Sequence, residues 1–171
     1  QSFMASVLQL NKLNDIYLHI INKILKIKTN IDEKVSIQIP HFFVEDLNNY
    51  LYLKEILEKN RGKNLIFEIE EESLNKNFSN TLMYIKLFKE FDFEFAVYNF
   101  IANSDDYSYL KELKPLYIKM SNYFLTESIQ SLNILKILTQ SLDIKLIATL
   151  VYENIDFSQL EELGINAVAK S

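Results

Sequence analysis

The residues best placed to meet a ligand lie where apolar runs end, and most of them are neutral. Tyr98 and Asn99 fall at the end of FEFAVYNF, a run rich in Phe and Val with no Gly or Pro. Such a run suits a strand buried on both faces. Lys119 and Ser121 fall at the end of a second short run, LYIKM. Between the runs, Asn103, Ser104, Asp105 and Asp106 break the apolar pattern. Asp105 or Asp106 can cap the segment DYSYLKEL as a short helix, which Pro115 stops. Strand, helical crossover and strand make a parallel βαβ unit. In such units function sits in the loops after the strand C-termini. Glu68, Glu70, Glu71 and Glu72 crowd the end of a third run, NLIFEIE. The simplest reading of Glu70 to Glu72 is a solvated helix start. His19 lies beside the apolar stripe of a helix, with no second His or carboxylate spaced to join it. His41 follows Pro40 at the end of a strand, a better place for chemistry, though a lone His there is more often structural.

The elements that position these residues alternate. A first helix covers residues 6 to 28, with Leu10, Leu13, Tyr17, Ile20, Ile24 and Ile27 at three- and four-residue steps. KVSIQIP (34 to 40) is a strand, 43 to 59 a helix closed by Gly62 as a left-handed cap, and 64 to 70 a strand. Residues 72 to 90 form a third helix, followed by the βαβ stretch. A helix at 126 to 142 capped by Thr126, a strand at 143 to 151, a helix at 156 to 163 capped by Asp156 or Ser158, and the strand INAVA complete the chain. Strands alternating with helices mean a parallel sheet covered by helices. The count is six strands, whereas a closed (β/α)8 barrel needs eight and typically ~250 residues. Six βα units also fit an open doubly wound sheet.

Composition narrows the classes. A chain of 171 residues with 49% hydrophobic content is expected to form one domain, residues 1 to 171, with Gln1 to Phe3 as an expression scar. Net charge is −5, which gives no general attraction to nucleic acid or anionic membrane. No cysteine is present, so disulfides and thiolate metal sites are excluded. No apolar run reaches the ~18 residues of a membrane span. With only two glycines and two prolines, the chain either has short, well-defined connections or lacks the glycine loops that bind phosphate closely.

The central stretch resembles part of an EAL domain, the cyclic di-GMP phosphodiesterase fold, whose members read roughly L-A-L-D-D-F-G-T-G-Y-S-S-L-S-Y-L-K and then P-D-Y-I-K-I-D-R-S-F. Phe100, Tyr109, Leu110, Lys111, Pro115, Tyr117, Ile118, Lys119 and Phe124 fall in register. The resemblance starts inside the first helix and runs to the C-terminus. It implies an α/β fold, an incomplete (β/α)8 TIM-like barrel of about six parallel strands. The family's first two strands, including the Glu-Ala-Leu signature, have no counterpart, and the edge strands at 35 to 40 and 165 to 169 then need cover.

The resemblance also implies a site to test. EAL enzymes hydrolyse a phosphodiester with two divalent metals, which need oxygen ligands, chiefly carboxylates. The ligand Asn of S-V-N-L-S falls on Gln38, longer by one methylene. Of E-I-T-E, Glu68 keeps the first Glu and Glu71 the later one. The paired aspartates of D-D-F-G fall on Tyr98 and Asn99, and the glycine-bearing loop becomes IANSDD. Lys119 matches the catalytic lysine, while the Asp of K-I-D is Ser121. The glutamates of A-E-G-V-E fall on Thr149 and Tyr152, with Glu153 one residue out of register. These positions form a vestigial site, with no catalytic residue, no metal and no cofactor expected. The expected function is a catalytically inactive regulatory or protein-interaction module in cyclic di-GMP signalling. Its partner is another protein or a second copy, in the cytoplasm or within a larger membrane-anchored protein. The alternative is an inactive receptor that still binds cyclic di-GMP. It ranks second because Arg61 is the only arginine available for bidentate phosphate recognition.

Overall fold

The computed structural model describes residues 3–27, 34–62, 64–101, 107–121, 129–150, 157–162, 164–165 and 167–170. The chain divides into two compact units, Gln1–Glu94 and Phe95–Ser171.

The first unit holds α1 (Phe3–Ile27), β1 (Val35–Ile39), α2 (His41–Glu45), α3 (Leu47–Glu58), β2 (Leu65–Glu70), α4 (Glu71–Lys76) and α5 (Phe78–Glu90). β1 and β2 pair in parallel, from Val35 opposite Leu65 to Ile39 opposite Ile69. A parallel pair requires a long crossover, which α2 and α3 supply. β2 is buried on both faces from Leu65 to Ile69. The Phe67 ring stacks on Phe88 of α5 at 4.1 Å and meets Phe93 edge-on at 5.5 Å.

Two expected helices are each broken in two. The helix expected at 43 to 59 starts at His41 and breaks at Asp46, whose backbone is extended. The Asp46 side chain accepts a hydrogen bond from the Asn48 N–H at 2.9 Å and caps α3. That corner is fastened from three sides. Tyr84 Oη donates to the Asp46 carbonyl at 3.0 Å, Asn49 Nδ2 donates to the Phe43 carbonyl at 2.9 Å, and Asn14 Nδ2 of α1 donates to Asp46 Oδ2 at 3.2 Å. Burial pushes the Tyr84 phenol up from its ordinary range, with Asp46 adding to the shift. The helix expected at 72 to 90 breaks at Asn77. There Thr81 Oγ1 donates to the carbonyls of Ser73 (2.8 Å) and Asn77 (2.9 Å). The apolar period runs through both breaks, so periodicity alone misses them. Gly62 is left-handed as expected (φ 65°), but α3 ends earlier and the glycine closes the turn by donating to the Phe91 carbonyl.

The second unit holds β3 (Glu94–Phe100) from Phe95 onward, α6 (Ser108–Leu113), β4 (Tyr117–Met120), α7 (Ile129–Ser141), β5 (Lys145–Leu150), α8 (Phe157–Glu162) and β6 (Ala167–Lys170). β3 pairs with β4, β4 with β5 and β5 with β6, all in parallel. Chain order is strand order here, as barrel winding requires. The reversal that defines a doubly wound sheet is absent among the described strands of this unit. The fold is α/β, with parallel strands and covering helices in the incomplete-barrel pattern. The expected caps Asp105, Asp106, Thr126 and Asp156 lie outside the described residues, and Ser158 lies inside α8. α6 ends at left-handed Lys114 (φ 48°), directly before Pro115.

Phe67→Ala is expected to lower stability by about 3–5 kcal/mol, because it removes a fully buried ring that two neighbours cannot refill. Leu51→Ala, at an exposed position of α3, should cost no more than about 0.5 kcal/mol. Urea denaturation followed by circular dichroism checks both.

Candidate functional site

In the first unit the expected site residues split by burial. Glu68 is 0% exposed on β2. Its Cα partner on β1 is Gln38, which is exposed. Register partners on neighbouring strands face the same side. The amide and the carboxylate therefore share a face, one at its rim and one at its depth. Glu71 opens α4 and is 3% exposed, not the solvated helix start that the run of glutamates suggests. The helix N-terminus is a favourable place for its charge. Only Glu72 of this run is exposed, and it pairs with Lys76 one turn on. The Lys76 ammonium holds the Glu72 carboxyl below the usual carboxylate range.

His41 follows the C-terminal end of β1, as expected, and is the first residue of α2. Its backbone N–H donates to Glu70 Oε2 at 3.1 Å, and its Nε2 lies 3.0 Å from Glu45 Oε1. It joins the end of β2 to the start of α2, which is a structural role. His19 is exposed on α1.

In the second unit Tyr98, Asn99, Lys119 and Ser121 gather at the C-terminal ends of two paired strands. Register passes from Val97 opposite Ile118 to Phe100 opposite Met120. β3 thus carries one extra residue across Tyr98 and Asn99, a β-bulge. Asn99 is exposed and left-handed, with φ 56°. A bulge re-aims side chains, so Tyr98 and Asn99 do not continue the alternation of the strand. The only sequence sign of it is an Asn inside an otherwise apolar and aromatic run, since Asn tolerates the left-handed region better than branched or bulky residues. Tyr98 and Lys119 are half-buried. Ser121 is buried, and its N–H donates to the Phe100 carbonyl at 2.8 Å. Thr149 on β5 is half-buried and opposite Ala169. Tyr152 and Glu153 lie outside the described residues.

Chemically, these strand ends offer a phenol, an amide, hydroxyls and one ammonium in the second unit, and two buried carboxylates in the first. No group of three or more His, Cys, Asp or Glu side chains is disposed to hold a metal ion among the described residues. No described helix is long and apolar enough to cross a membrane. The bulge gives a stability prediction. Asn99→Gly should be neutral or slightly stabilising, whereas Asn99→Val should cost about 1–2 kcal/mol by forcing a branched residue into the left-handed region. Denaturant midpoints of the two variants against the parent check the sign of each.

Comparison with known proteins gives a consistent picture. The structure is similar to Vibrio cholerae LapD S helix-GGDEF-EAL bound to c-di-GMP, with a TM-score of 0.79 and 19% identity over 95% of this chain and 42% of that one. The apo form gives a TM-score of 0.76 and 20% identity over 90% and 39%. The Xanthomonas citri FimX EAL domain in complex with c-diGMP gives 0.74 and 14% over 97% and 71%. The chain spans about two-fifths of the LapD chain. At these identities the likeness is one of fold, and it matches the incomplete barrel described above. No curated protein matches the chain. The family model for the EAL domain matches residues 1–169, across both units, and on that extent the chain belongs to the EAL family.

Proposed function

We propose that this chain is a catalytically inactive EAL domain that serves as a regulatory or protein-interaction module in cyclic di-GMP signalling. The observation that carries the reading is the bulge at the end of β3. Where the family pattern places paired aspartates, this chain holds a phenol and an exposed, left-handed amide. Two divalent cations held close together need several carboxylate oxygens to offset their charge. Ser121 and Thr149 add hydroxyls, Gln38 adds an amide at an exposed rim, and Lys119 adds a positive charge. Among the described site positions Glu68 and Glu71 remain, and two carboxylates do not make the donor set of a two-metal hydrolase. The residues present therefore do not fit the metals that the family implies.

A second reading has its own support. LapD and FimX structures similar to this fold are described as bound to c-di-GMP. That weighs more for the nucleotide than the sequence alone did. Against it, Arg61 is engaged elsewhere, pairing with Asp92 at 2.9 Å and lying 5.3 Å over the Phe91 ring. A receptor would have to read the phosphates through Lys119 and hydroxyls.

Incubation of the purified chain with cyclic di-GMP and Mg²⁺ or Mn²⁺, with chromatography of the nucleotide, is expected to return it uncleaved. Metal-dependent linear product that disappears in Glu68→Gln would overturn the proposal. Calorimetric titration in the same buffers separates the two readings. No heat at high micromolar nucleotide supports the interaction module, and saturable binding without cleavage supports the receptor.

A further inference from the structure

We draw no further inference here: the strongest candidate, the exposed apolar stripe of α1 at Leu13, Ile16, Ile20 and Ile27, stands among exposed groups of both charges, Lys12 and Lys23 on its own helix and Glu45 and Glu55 on α2 and α3, and nothing in the structure shows what covers it.

Discussion

A strand buried on both faces has no room for error, and β2 is such a strand. Its residues from Leu65 to Ile69 lose water on both sides, so each must be apolar or fully engaged. Phe67 meets that demand with a ring stack against α5, and Ile66 and Ile69 with side-chain burial. The parallel pairing with β1 then forces the crossover through α2 and α3, and the Asp46 corner sets where that crossover turns. Glu68 is the exception inside the strand. A carboxylate at zero exposure is costly without engagement, and removing such a group from its partners costs more than the pair contributes. Its retention in that place is what ties the fold of this unit to the question of function.

Chemistry at the strand ends divides along the same line. The first unit keeps charge in buried places: Glu68 on β2 and Glu71 at the start of α4. The second unit, at its described site positions, keeps shape without a carboxylate, and its charge there is the ammonium of Lys119. Its bulge at Tyr98 and Asn99 re-aims the end of β3, yet offers an amide and a phenol to whatever lies there. A hydroxyl or amide binds a neutral or singly charged group well enough, but does not offset two divalent cations. On the proposed reading this arrangement serves recognition rather than hydrolysis.

Much of this was legible in the sequence because it rests on period and punctuation. The six strands, the order of helices and the parallel class follow from apolar runs alternating with helical stripes, and the family pattern of residues 93 to 124 added the barrel. What escaped rests on single hydrogen bonds and single dihedrals. Asp46 and Asn77 break two helices through caps that leave the apolar period intact. Glu71 looked like one of several solvated glutamates, and only the packing of α4 distinguishes it from Glu72. Asn99 looked like a strand residue, and its left-handed φ appears only once the register of β3 against β4 is known. His41 follows the end of β1 as read, but it already begins α2, which the apolar pattern placed from residue 43.

The central claim concerns the donor set, and metal uptake measures it without reference to substrate or partner. Manganese added to the purified chain can be followed by the electron paramagnetic resonance signal of the free ion. On this account the signal at equimolar metal matches that of buffer alone, because the aspartate positions of β3 offer a phenol and an amide. Uptake of two manganese ions per chain, lost on Glu68→Gln, would contradict it.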